Sequence, residues 1–220
     1  MPHGIHVLVI DAQSHDRTAE FARSAGATVV ERAWTDFVDA RRFALAQVAT
    51  PWTLAIDADE ALDDRLRAAI LAAGEHVNGY RVRRDTYFCG KSLRMWRREP
   101  LLRLFRTEAA RVEAHPAAGG DAPLHETYAC NEPTGDLTGT LMHFSYPDLA
   151  SYRTRFSAYT AIEARATSPA TLPGAALLAL PRFARSMLAR GAFLDGWQGW
   201  YVAWMSAWYP VAVAAKAILR

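Results

Sequence analysis

Apolar and polar positions follow two rhythms along this chain, and the change between them divides it. The continuous apolar run IHVLVI (residues 5–10) predicts a buried strand that stops at Asp11. After the polar turn AQSHD, the segment TAEFARSAG carries apolar residues at helical spacing, and Gly26 supplies a stop. TVVE reads as a short strand, and FVDARRFALAQVA as an amphipathic helix broken at Pro51. WTLAI then enters as a strand ending in DADE, followed by a helix from about Leu62 to Ala72. This strand–helix alternation predicts an α/β fold with a mostly parallel sheet and flanking helices, whose ligands bind beyond the carboxyl ends of the strands. Asp11 and Asp57 both fall at such ends.

After Gly79 the pieces shorten to YRVRR, SLRMW and LLRLF, which predict antiparallel strands or a mixed edge. Residues 107–136, rich in Ala, Gly, Pro and acidic groups, read as a long loop, and the LHE within them suggests a lid. From Asp148 the pattern turns helical. The expected organisation is an α/β domain over residues 1–147 and a helical tail over 148–220.

Composition narrows the function. With 51% hydrophobic and 22% charged residues the 220-residue chain can bury a core, and a net charge of +2 gives no reason to expect a nucleic-acid partner. Cys89 and Cys130 alone offer no thiolate metal site and fit a reducing cytoplasm. The first residues lack the basic and apolar regions of a secretory signal, so a cytoplasmic location is expected.

The tail changes that picture. Residues 196–215 carry no charge over about 20 residues, the lower range of a membrane span. Trp197, Trp200, Trp204 and Trp208 recur at helical intervals with Tyr201 and Tyr209 beside them, and the preceding LALPRFARSMLAR adds Arg182, Arg185 and Arg190. Aromatic residues favour the headgroup boundary and arginines favour anionic lipid. Pro210, Gly199 and Ser206 favour a monotopic anchor on an anionic membrane surface over a full span. Packing of the Trp stripe on the domain or on a partner subunit is the competing reading.

The sharpest chemical signal is IDADE, residues 56–60, two carboxylates one residue apart after an apolar strand. Mg²⁺ and Mn²⁺ take oxygen ligands and are commonly held by one or two carboxylates while phosphates complete the shell. Capping of the following helix is an equally good account of the same residues on spacing alone. In DAQSHDRT, Asp11 is placed to contact a base or ribose, while Ser14 and Asp16 suit helix capping.

Taken in order, IDAQSHDRT, FVDARRFAL, IDADE, RLFR, LHE and HFSY resemble the family 2 glycosyltransferases, in particular the branch of lipopolysaccharide-core glucosyltransferases. The first turn there looks like VDSGSTDGT, matched at Asp11, Ser14, Asp16 and Thr18 but not at Ala12, Gln13 or His15. A helix like GFGAQRNFAL is matched with Arg41 retained and Arg42 in place of Asn. The resemblance implies a GT-A-like fold, a Mg or Mn divalent cation, a nucleoside-diphosphate sugar donor, and a glycan or lipid-linked acceptor. Asp11 and Asp16 would then contact the nucleotide, Asp57 and Asp59 the metal-diphosphate, and His143 the metal or a phosphate. Arg41 and Arg103 would sit on the donor side, His125 and Tyr146 on the acceptor side. Glu126 is the expected catalytic base, with Glu60 second. The family also has a strand and helix before the first acidic turn, and that strand helps hold the base; this unit is missing from the pattern here. A non-catalytic binding or scaffold homologue and a metal-dependent nucleotidyltransferase are the alternative functions.

Overall fold

The computed structural model describes residues 4–96, 100–116 and 123–219, with the side chains of residues 115, 116 and 123–125 excepted. Strands β1 (Leu8–Asp11) and β2 (Thr28–Glu31) pair in parallel across helix α1 (Thr18–Ser24), with Asp11 opposite Glu31. Helix α2 (Phe37–Ala46) starts at Asp36, whose carboxylate accepts the Asp39 N–H at 2.8 Å. Strand β3 (Trp52–Leu54) is followed by the acidic turn, and a short strand not expected from the sequence, β4 (Glu60–Leu62), follows that. Helix α3 (Asp64–Leu71) is capped by Asp63, which accepts the Leu66 N–H at 2.7 Å. The acidic run 57–60 is therefore not the cap of this helix.

Strands β5 (Gly79–Phe88), β6 (Lys91–Ser92), β7 (Leu101–Arg106) and β10 (Thr134–Tyr146) complete the main sheet, in the order β3-β7-β5-β10-β4 with β6 on β5. Among the described residues β5 and β10 alone run parallel within it; β3–β7, β5–β7, β10–β4 and β5–β6 are antiparallel. The α/β architecture with flanking helices is as expected, whereas the pairing is mixed rather than mostly parallel. The reason lies in length: β3 contributes three residues, while the later strands supply most of the ladder. Of the predicted strand SLRMW, only its start is extended, and Arg94–Trp96 form a 3₁₀ turn.

Helix α3 lies on the sheet with Leu66, Val82 and Leu141 buried between them. Gly139, at φ +104°, makes this approach possible, because a Cβ there would stand 2.2 Å from the Leu66 nitrogen.

Within residues 107–136 the described residues do not form the loop that composition suggested. Strands β8 (Ala110–Pro116) and β9 (Pro123–Cys130) form an antiparallel hairpin, so LHE lies on a strand. ARVEA and HETYA alternate with period two, and this pairing outweighs the loop-like composition.

The carboxyl-terminal segment forms α4 (Leu149–Glu163), α5 (Leu172–Leu177), α6 (Ala179–Leu188) and α7 (Gly196–Ile218). Its buried residues Tyr152, Met187, Val202 and Ala203 share one core with Phe88, Leu93 and Met95 of the sheet region. Phe88 is the hub, stacked on Tyr201 at 5.8 Å and edge-on to Tyr152 and Trp197 at 5.3 and 6.0 Å. Among the described residues no helix is long and apolar enough to cross a membrane.

Candidate active site

At the end of β1, Asp11 is buried and its carboxylate accepts both the N–H (2.9 Å) and the hydroxyl (2.6 Å) of Ser14. These bonds hold its carboxyl below the usual range. Ser14 thus orients Asp11 instead of capping α1; Asp16, one residue before the Arg17 cap position, accepts the Thr18 N–H at 2.9 Å. Gln13 sits at φ +61°, left-handed backbone that favours the glycine of the family turn. Next to Asp11, a groove of about 70 Å³ opens between Ile10, Arg32, Trp34, Thr35 and Asp39. Trp34 is half exposed there, although its residue type favours burial.

Along α2, the groove residues Asp39 and Ala40 are followed directly by Arg41, which reaches the acidic turn. Arg41, on α2, donates from Nη2 to Asp57 (2.9 and 3.2 Å) and from Nε to Glu126 on β9 (2.7 Å). Tyr128, two residues along β9 and on the same face, places its ring 5.2 Å beneath the Arg41 guanidinium. Burial works against the charge of Arg41, but Asp57, Tyr128 and Glu126 outweigh it and push its pKa up. Arg42 faces solvent.

Arg103, buried on β7, donates to Asp57 at 3.1 Å and to Glu60 at 2.7 Å. Glu60 has 0% side-chain exposure; it accepts the Asp57 N–H at 2.9 Å and is approached by Arg84 at 3.4 Å. Three guanidiniums, Arg41, Arg84 and Arg103, are therefore interleaved with three carboxylates, Asp57, Glu60 and Glu126. Partial burial opposes the charge on Asp57, yet Arg103 and Arg41 hold its carboxyl below the ordinary value.

Asp59 lies outside this cluster. His143 Nε2 is 3.3 Å from its Oδ1, and Arg155 Nη1 is 4.0 Å from Oδ2. The bond from His143 is the main cause of a lowered Asp59 pKa, against desolvation. Ser145 Oγ stands 2.7 Å from the same imidazole nitrogen. Tyr146 is packed against Phe88, Trp96 and Tyr152, and burial raises its pKa. The His125 side chain lies outside the described residues; its backbone pairs with His115.

The structure thus brings together Arg41, Asp57, Glu60, Arg103 and Glu126, with Asp59 and His143 adjoining them, and leaves Asp11 and Asp16 in the first acidic turn, outside this cluster. Sequence reasoning missed Arg84, Tyr128 and Arg155. The period-two face shared by Glu126 and Tyr128 was the available signal for Tyr128.

A divalent cation is tested here by its donors. Among the described residues no group of three or more His, Cys, Asp or Glu is assembled to hold a metal. Asp59 fits the alternative mode of a single carboxylate completed by phosphate, being one-third exposed and loosely held, whereas Asp57 is engaged by two guanidiniums.

Acidic turns at the ends of β1 and β3, beside a mixed sheet flanked by helices, define an α/β domain of the GT-A type. The chain belongs to glycosyl transferase family 2, whose sequence profile matches residues 2–128. Members of this family generally use a divalent cation. The chain is 32% identical over 149 residues to the lipopolysaccharide core biosynthesis glycosyltransferase LpsC of Rhizobium meliloti (strain 1021), covering 63% of this chain and 53% of LpsC. It is 41% identical over 64 residues to an uncharacterized glycosyltransferase of Rickettsia bellii and 38% identical over 64 residues to one of Rickettsia prowazekii. Each of these matches covers 29% of this chain and 22% of the relative. The chain therefore spans about half the length of LpsC and less of the others.

Proposed function

We propose that the protein is an inverting glycosyltransferase that moves a hexose from a nucleoside-diphosphate sugar to a cell-envelope glycan or lipid-linked acceptor, such as lipopolysaccharide core. The observation that carries this reading is the Arg41 bridge, which joins Asp57 to Glu126, 85 residues away from that arginine in sequence. One guanidinium so positions a donor-side carboxylate and an acceptor-side carboxylate together. The name of LpsC supports the acceptor class.

In this scheme the nucleotide lies along the groove at Asp11 and Trp34, Asp16 of the same acidic turn contacts it, and its diphosphate reaches the turn at Asp57 and Asp59. Asp59 would hold a Mg²⁺ or Mn²⁺ ion, assisted by Asp57 and His143, and the bound cation supplies charge stabilisation for the departing diphosphate. The acceptor oxygen attacks the anomeric carbon and its proton passes to Glu126, while the bond to the diphosphate breaks with its electron pair. Glu60, sealed between Arg103 and Arg84, serves as a positioning residue for the Asp57 backbone and not as the base.

Calorimetry with a panel of nucleoside diphosphates and their sugars, with and without Mn²⁺, tests the donor. We expect Mn²⁺-dependent binding of at least one, abolished in Asp59→Ala. Binding indifferent to Mn²⁺, or unchanged in that variant, would reject the metal-diphosphate role.

The division into a catalytic region, 1–147, and a membrane-associating helical region, 148–220, is part of the same proposal, with the protein on the cytoplasmic face of the cell membrane. It is supported by the exposed faces of Trp197 (54%), Trp200 (54%) and Trp204 (46%), with Leu180 and Leu188 exposed on α6 near Arg185. Vesicles containing anionic lipid should sediment the wild-type protein, and Trp197→Ala/Trp200→Ala/Trp204→Ala should lose most of that recruitment. Equal recovery of both proteins in the supernatant would remove the membrane from the proposal.

A further inference from the structure

The Trp34 groove ends at Asp39 and Ala40, the next residue Arg41 reaches Asp57, and beyond Asp59 an open cleft of about 580 Å³ lies between the end of β10 and the first two turns of α4. Its volume is that of a site for a small ligand. It adjoins the acidic turn directly: the Phe144 N–H donates to the Asp59 carbonyl at 2.8 Å, and Arg155 reaches 4.0 Å from the Asp59 carboxylate.

Three kinds of group line it. Phe144 is 46% exposed and its ring is backed by Tyr87 at 4.9 Å, leaving an aromatic plate toward solvent. Ser151 and Thr154 bring hydroxyls from α4. Arg155 contributes a guanidinium that lies over the Tyr146 ring at 5.4 Å. Among the described residues its one ion pair is the 4.0 Å contact to Asp59, and its side chain is 46% exposed. Asp148, the other carboxylate at this end of α4, is turned into the helix to accept the Ser151 N–H at 2.7 Å.

An aromatic plate packs the apolar face of a pyranose ring, hydroxyls pair with its hydroxyls, and a guanidinium takes a carboxylate or phosphate in a bidentate pair. We propose that this cleft is an acceptor subsite for a sugar bearing a carboxylate or phosphate, with Arg155 as the anion anchor and Phe144 as the stacking face. The proposal rests on the transferase reading above, because it is the order of groove, acidic turn and cleft that puts the cleft on the acceptor side. Arg155 here sets specificity; it takes no part in proton transfer.

The test is ligand-observed NMR on the full chain with glucose, glucuronate, glucose 6-phosphate and inorganic phosphate as probes, in buffer holding Mg²⁺. We expect glucuronate and glucose 6-phosphate to bind about tenfold tighter than glucose or phosphate, the scale of one charge-assisted pair. Arg155→Gln should erase that advantage, Arg155→Lys should keep part of it, and Phe144→Ala should weaken the neutral sugar as well. UDP or GDP should leave the probes bound. Unchanged affinities in Arg155→Gln, or displacement by a nucleoside diphosphate, would overturn the subsite; so would inorganic phosphate binding as tightly as the sugar phosphate. The two readings fail separately. Loss of all nucleotide binding with anionic sugars still held by Arg155 sinks the donor assignment alone, whereas intact nucleotide binding with an indifferent Arg155→Gln sinks the subsite alone.

Discussion

Glu126→Gln is expected to slow sugar transfer by about 10² to 10⁴-fold while changing nucleoside-diphosphate affinity by less than about threefold. The amide keeps an oxygen for the Arg41 Nε–H, which now meets Glu126 at 2.7 Å, so β9 should stay docked on α2. What it loses is the ability to receive the acceptor proton. The comparison is therefore one of kcat at saturating donor against a calorimetric Kd. A transfer rate within about threefold of wild type would remove Glu126 as the base. Loss of donor binding as well would mean that its bond to Arg41, and not its proton affinity, is what the site needs.

Arg103→Ala is expected to destabilise the fold by about 3–5 kcal/mol, the cost of leaving a buried charge without its partner. Glu60 has no exposed side-chain surface, and without Arg103 its remaining guanidinium is Arg84 at 3.4 Å. Asp57 would lose one of two guanidiniums and keep Arg41. Urea denaturation measures the change. The double variant Arg103→Met/Glu60→Gln should recover a large part of it, because a neutral pair leaves no uncompensated charge. A loss below about 1 kcal/mol in Arg103→Ala would show that the ion pairs contribute no more than exposed ones do. The same network sets the direction with pH. Asp57 has a folded pKa below its ordinary 3.8, so its contribution is present above that value and is lost as pH falls through the lowered one.

The first half of the fold was legible because its signals are local. An apolar run ending in aspartate, a helical period and a proline each act within a few residues, and β1, α1, β2, α2 and β3 stand near where those signals put them. Pairing is a different kind of fact. Nothing in WTL states that its partner is LLRLF running antiparallel, since that choice depends on which distant strand is long enough to complete the ladder. The β8–β9 hairpin was obscured for a related reason: its small and acidic residues resemble those of loops, while its period-two faces are short.

The site divides in the same way. Asp57 and Asp59 stand out by their place after an apolar strand, and Arg41 and Glu126 by ordered motifs. That one arginine touches both Asp57 and Glu126 could be seen only once the hairpin was docked on α2. Arg84 and Arg155 carried no motif at all. Their positions beside Glu60 and Asp59 follow from the parallel pairing of β5 with β10 and from the entry of α4 after Tyr146.

Phe88 belongs to a strand of the sheet, yet its ring is covered by Tyr201 and Trp197 of α7. The helix that carries the exposed indoles is therefore packed on the same sheet whose strand β10 meets the acidic turn, where the Phe144 N–H donates to the Asp59 carbonyl. If those indoles rest on a bilayer, the fold itself acts as a gauge of fixed height between lipid and acidic turn. Acceptors would then be sorted by how far they stand off the surface, a selection by reach that requires no contact with any of their sugars.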